Sequence, residues 1–337
     1  MSLPKFESLS EIPDIIGKLP KFDTGASEAA AERQNQLTKP PGALGRLEDI
    51  AIFLAGWVGT AQPKIEMAQA LVFAGNHGIC DQGMNPFPQE VTAQMVANFE
   101  HGGAVINQLC QENGADLTVI ALDLDTPTKD FTKGPAMSEA ECLDAINTGA
   151  EAVNTDADIL LLGEMGIGNS TVAAALAAGI FGGESSQWVG IGTGSNADGV
   201  ALKNRVVSDG LALHGQKSPL EKLAALGGRE HAAIAGAVLA ARIASIPVLL
   251  DGYICTAAAA PLFGVKPELL DHCLIAHTSA EAGHKALAKA MNKTPVLNFS
   301  MRLGEGTGAA LTLGIVKSAL ACHNGMATFA EAGVAGG

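Results

Sequence analysis

The 337-residue chain is poor in everything that marks a nucleic-acid surface. It holds one tyrosine and two tryptophans, and 21 basic residues stand against 35 acidic ones for a net charge of −14. Base stacking needs aromatic faces and a phosphate backbone needs a basic one, so neither single-stranded nor duplex nucleic acid suits it as partner. Six scattered cysteines include no C-x-x-C pair. That excludes a zinc ribbon and a disulfide framework and points to a reducing compartment, the cytoplasm. Long hydrophobic runs are missing too: the longest, Ala232 to Ala241, stops at Arg242, short of the ~20 residues of a membrane-crossing helix. Glu7, Glu11 and Asp14 stand where a secretory leader would be apolar, so no export is expected.

What the chain has in plenty is small and apolar residues. Six aliphatic runs, at 70–75, 117–122, 158–163, 188–192, 246–252 and 294–299, alternate with Ala-rich stretches. Continuous rather than alternating apolarity is the mark of strands buried on both faces, which predicts a doubly wound, Rossmann-like α/β parallel sheet. Ser138-x-x-Glu141 and Thr278-x-x-Glu281 have capping-box spacing and predict helix starts. Residues 1–60 show no strand pattern and the stretch after Glu305 reads as helix. This predicts a small helical domain from 1–60 plus 307–337 beside a large α/β domain over 61–306.

The forty glycines gather where the apolar runs end, the edge at which open α/β sheets bind ligands. In Gly163-Glu-Met-Gly166-Ile-Gly168-Asn169-Ser170-Thr171, amides and hydroxyls open a helix, an arrangement suited to phosphate; an ordinary capped turn is the alternative. Gly190-x-Gly192-x-Gly194 resembles a dinucleotide fingerprint but lacks the expected ribose-binding acid, since Asp209 falls inside a predicted helix. In Arg302-Leu303-Gly304-Glu305-Gly306, a glutamate between glycines has little cover and suits a general base, or else a solvated turn. His77, after the first strand, either meets a ligand or is a structural histidine. Lys39 to Arg46 is a hinge or a loop over the crevice. His277-x-x-x-Glu281-x-x-His284 lacks metalloprotease spacing and a third ligand, so no metal is expected.

The strings TKPPGALGRLE, AGNHGI, PQEVTAQMVANF, GEMGIGNST, VGIGTG, LLDGY, HTSAEAGH and FSMRLGEGTGAAL, in this order, resemble the nicotinate-nucleotide:dimethylbenzimidazole phosphoribosyltransferase family. The resemblance implies a cofactor-independent homodimer that moves ribose 5-phosphate from nicotinate mononucleotide to a benzimidazole-type base, with inversion at C1′. It implies Glu305 as the base that takes the azole proton and Glu164 as a second acid, stabilising ribose cationic character or positioning the ring. It assigns phosphate to Gly166, Gly168, Asn169, Ser170, Thr171, Gly192 and Gly194, with Lys203 and Arg302 supplying charge, and the ribose or nicotinate side to Asp251 and Ser279. His77, Phe87, Pro88, Met95 and Leu303 are further substrate-side positions. Phe87 and Met95 stand where some members place serine and glutamine, and Asn76 where others have aspartate, which leaves the acceptor base open. An NAD-linked oxidoreductase and a non-catalytic nucleotide sensor are the competing readings; hydride transfer would mark the first, absence of turnover the second.

Overall fold

A computed structural model describes residues 5–192 and 194–335. Thr193, inside the Gly190–Gly194 turn, and both extreme ends of the expected helical domain lie outside the described residues. Five parallel strands, β1 (Ala68–Ala74), β2 (Ala115–Ala121), β3 (Ile159–Met165), β4 (Val248–Leu250) and β5 (Cys273–Ile275), form one sheet in the order β2-β1-β3-β4-β5. That order is one of the common doubly wound arrangements, and its direction reverses between β1 and β3.

The unbroken apolarity of the strands has a direct cause. Leu71, Phe73, Leu160, Leu162, Val248 and Leu250 enter one core, while Ala70, Val72, Ile159, Leu161 and Leu249 enter another on the opposite face. The first core is closed by helices Asn169–Phe181, Arg229–Ile243 and Tyr253–Val265, the second by Arg46–Val58, Val105–Asn113 and Thr307–Gly325. The run 232–241 is the middle of helix Arg229–Ile243, buried all round, as a helix apolar on every side must be. Its Ala233 and Gly236 meet Gly149 and Ile146 of helix Glu139–Glu151 backbone against backbone, leaving no room for a larger residue at either glycine. Among the described residues no helix is long and apolar enough to cross a membrane.

Two expected strands do not form. At 188–192, the amides of Trp188 and Val189 bond back to Ser185 O in a tight turn, and Gly192 takes a φ of +54°, so the chain curls instead of extending. At 294–299, Val296 and Leu297 donate to Ile275 O and Ala276 O beside β5, but the contact is one isolated bridge. Strand β5 escaped the sequence pattern because it is three residues long between Asp271-His272 and Ala276-His277. The Ser138/Glu141 capping box forms. Thr278 caps nothing, because its amide goes to Leu297 O and the next helix begins only at His284.

Helices Thr24–Gln36 and Arg46–Val58 pack together, and Arg33 donates to the carbonyls of His323, Asn324 and Met326 near the chain's other end. Helix Thr307–Gly325 also lies on β3 and β4, sharing their core through Ala309, Ala310 and Leu313. Leu9 and Ile12, in the 3-10 segment Leu9–Lys18, join the core on the opposite sheet face.

Candidate active site

The carboxyl end of β3 supplies the cleft residues from Glu164 to Ser170, and the segments after β4 and β5 supply Ile254, Glu281, Arg302, Leu303 and Glu305. Strand β3 runs into Gly166-Ile167-Gly168, where Gly168 has φ +97° and helix Asn169–Phe181 begins. A Cβ at Gly166 would lie 2.6 Å from Gly75 O, and one at Gly168 2.7 Å from Cys80 Sγ. The glycines therefore let the turn close against the end of β1, while the amides of Ile167, Asn169 and Thr171 are taken by Thr92 Oγ1, Gly166 O and Gly168 O. Asn169 donates from Nδ2 to Glu164 Oε2, and Ser170 stands beside it on the first helical turn.

Opposite this turn, Gly304, Glu305 and Gly306 are all left-handed, with φ of +83°, +63° and +82°. Glutamate in this region costs about 1–2 kcal/mol, and the surroundings enforce it. Asp251, just after β4, accepts from the amides of Gly306 (3.2 Å) and Ala309 (3.0 Å) and so fixes the start of helix Thr307–Gly325. A Cβ at Gly163 would lie 2.5 Å from Gly306 N, and one at Gly304 2.5 Å from Glu164 Oε1. Backbone contact thus brings Glu164 and Glu305 to adjoining positions in one cleft.

Glu305 is 7% exposed and has no hydrogen bond or ion pair among the described residues. Burial, with Asp251 adding its charge, pushes its carboxyl up to about 7. Glu164 is raised well above the carboxylate range by burial and then by Asp251, Glu230 and Glu305, against the Asn169 hydrogen bond. Burial raises Asp251 as well, opposed by His277, whose Nε2 is 3.7 Å away, and by the helix amides. Carboxylates gathered this closely out of water oppose one another's ionisation, and Glu164 is the one pushed up by all the others.

The far wall carries the cations. Lys203, 2% exposed, places Nζ 3.4 Å from Ser170 Oγ and 3.5 Å from Ile191 O; burial lowers its pKa, opposed by Glu281. Arg302 Nη1 donates to Gly192 O at 2.9 Å, joining two loops across the cleft. A Cβ at Gly192 would come within 2.6 Å of Ser170 Oγ and 2.8 Å of Lys203 Nζ.

Of the residues expected from sequence, Glu164, Gly166, Gly168, Asn169, Ser170, Gly192, Arg302, Leu303 and Glu305 line this cleft together, with Lys203 against its wall. Gly192 lines the cleft without a free amide, and others sit elsewhere. The Gly192 amide is spent on Glu281 Oε2 (3.2 Å), so it is no free phosphate donor. Gly194, with φ +115°, is exposed next to the turn, and Thr171 is buried inside its helix. Asp251 acts behind the wall, and Ser279 lies beside it, donating its amide to His284 Nδ1. Phe87 (49% exposed) and Pro88 face solvent, and Met95 packs half-buried against the second core, so none of the three lines the cleft. His77 points inward, its Nε2 2.8 Å from Glu230 Oε1, which His231 Nδ1 also approaches at 2.8 Å. Burial would raise the Glu230 carboxyl, but the two imidazoles hold it well below its usual range. These three side chains are the group among the described residues with metal-ligand proximity; His284, considered from sequence, is engaged with Ser279.

Sequence reasoning missed Asn85, Ile254 and Glu281 in the cleft wall. Glu281 sits in the HTSAEAGH string, where a capping role concealed it. With no strand at 188–192, the Gly190–Gly194 turn also loses the strand that a dinucleotide fingerprint requires.

A family model described as phosphoribosyltransferase matches residues 19–334. The chain is 60% identical over 330 residues to the nicotinate-nucleotide--dimethylbenzimidazole phosphoribosyltransferase of Rhodobacter capsulatus, covering 98% of this chain and 99% of that one. It is 58% identical over 333 residues to the protein of the same name from Roseobacter denitrificans, with coverages of 98% and 99%. The crystal structure of the Thermus thermophilus protein carrying that name superposes with a TM-score of 0.88 at 37% identity, over 94% of this chain and 100% of the other.

Proposed function

Since the chain belongs to the nicotinate-nucleotide:dimethylbenzimidazole phosphoribosyltransferase family, we propose that it transfers ribose 5-phosphate from nicotinate mononucleotide to 5,6-dimethylbenzimidazole or a related base. One azole nitrogen forms the new bond to C1′ while the glycosidic bond to nicotinate breaks. The pyridinium leaves as a neutral ring still bearing its carboxylate, so its departure needs no general acid. Attack from the face opposite the leaving ring inverts C1′ and gives α-ribazole 5′-phosphate. The second azole N–H turns acidic as positive charge builds on the attacking ring, and Glu305 takes that proton and later returns it to solvent.

The observation that carries this reading is the Glu305 carboxyl, without a hydrogen bond or ion pair among the described residues, standing across the cleft from the Gly166–Ser170 helix start. A base with a pKa near 7 holds a proton more firmly than an ordinary carboxylate while staying half-ionised at neutral pH. The helix start, Ser170 and Lys203 suit a phosphate at the other end. Stabilising a cationic ribose asks for an ionised group, whereas burial and the charges of Asp251, Glu230 and Glu305 disfavour ionisation of Glu164. Its better-supported role is to orient Asn169 and the incoming ring as a hydrogen-bonding partner.

The test offers nicotinate mononucleotide with dimethylbenzimidazole, benzimidazole, adenine and a phenol in competition. α-Ribazole 5′-phosphate with stoichiometric nicotinate is expected. Absence of nicotinate release with every acceptor overturns the reading.

A further inference from the structure

Glu281 lines the cleft, is 6% exposed, and has no role in the reaction as drawn so far. Its Oε2 accepts from Gly192 N, while its Oε1 is buried with no hydrogen-bond partner among the described residues. Gly190 makes room for it, since a Cβ there would collide with Oε2. A shielded carboxyl oxygen is costly to leave unpaired, so an orphan in a cleft wall marks a place where a ligand donor belongs.

The donor inventory of the substrates identifies that ligand group. The nucleotide's carboxylate and phosphate oxygens are acceptors, and its pyridinium ring has no N–H. At neutral pH its donors are the ribose hydroxyls. The single N–H of the benzimidazole is required at Glu305. Placement agrees: Glu281 reaches the cleft through the Gly192 turn, next to Ser170 and Lys203, while Glu305 occupies a different loop. A sugar joining a phosphate at Ser170 to a reacting carbon near Glu305 passes between them. Resting on the functional reading above, we propose that Glu281 Oε1 accepts a hydrogen bond from a ribose hydroxyl of the nucleotide and so orients the sugar for attack.

The experiment compares wild type and Glu281→Gln with nicotinate mononucleotide and its 2′-deoxy and 3′-deoxy forms. Glutamine can still accept the Gly192 amide through its oxygen. The variant is expected to lose roughly 10- to 100-fold in kcat/KM for the nucleotide, the scale of one hydrogen bond to a carboxylate, with the KM for dimethylbenzimidazole unchanged. One deoxy nucleotide should cost the wild type a similar factor and cost the variant little. If the two losses multiply, or the variant instead raises the KM for the benzimidazole, the assignment is wrong. If Glu281→Gln fails to fold, the wild-type series alone decides: equal kcat/KM for all three nucleotides overturns the proposal, and a selective loss with one deoxy form supports it. A wild type that makes no α-ribazole 5′-phosphate from the natural pair refutes the functional reading itself, a result separate from these.

Discussion

Replacing Glu305 by glutamine removes the proposed base while leaving a side chain of the same shape between Gly304 and Gly306. The structure sets the size of the effect in two ways. A positioned base contributes roughly 10²–10⁴-fold, and the neighbouring carboxyls are engaged elsewhere: Glu164 accepts from Asn169, and Asp251 is committed to the amides of Gly306 and Ala309. The pH profile carries a second signature. With its pKa pushed up to about 7, Glu305 is the active base in about half the molecules at pH 7 and about a tenth at pH 6, whereas an ordinary carboxylate would be almost fully ionised at both. Protonation of the acceptor ring adds an acid limb of its own, so the informative comparison is between wild type and Glu305→Gln, whose residual rate retains only the acceptor's limb. Initial rates of α-ribazole 5′-phosphate formation from pH 5 to 9, at saturating nucleotide and low dimethylbenzimidazole, give both curves. The reasoning is refuted if the variant turns over like wild type, or if the two profiles share one acid limb.

Three further outcomes follow from the same geometry. Glu164 has a folded-state pKa above its unfolded value of about 4.5, so the native state loses stability as pH rises above 4.5. Glu164→Gln should therefore gain on wild type by about 1 kcal/mol or more at pH 8 and by little at pH 4.5; thermal melts showing equal differences at both pH values would contradict the burial argument. Ser170→Ala combined with Lys203→Ala should raise the nucleotide KM at least tenfold with a smaller effect on kcat, and an unaltered KM would remove the phosphate from this end of the cleft. Gly163→Ala forces a methyl to within 2.5 Å of Gly306 N, so the backbone must part. A loss of more than about 2 kcal/mol in stability together with a fall in kcat is expected, and a variant as stable and active as wild type would refute the close junction.

The sheet was legible where strands are buried on both faces, because β1 and β3 then read as unbroken apolar runs. It was illegible where the signal is ambiguous. Trp188-Val189 is as apolar as a strand yet is buried in a turn, and Cys273–Ile275 is too short to stand out between polar neighbours. In the cleft, the glycine-rich helix start and Glu305 could be found because unusual backbone requirements leave glycines in the sequence. Glu281 could not, since its partner Gly192 is 89 residues away and nothing local marks the pairing. The inward turn of His77 depends in the same way on Glu230, which arrives on a distant helix.

The contact between Gly163 and Gly306 also governs how this cleft can diverge. Its two acids hang from main chains that touch, so their spacing belongs to the junction of strand and helix and is insulated from drift in the loops. Phe87 and Pro88 lie out in solvent on a separate loop. Exchanges there leave the reacting edge with its dimensions, because neither side chain lines the cleft.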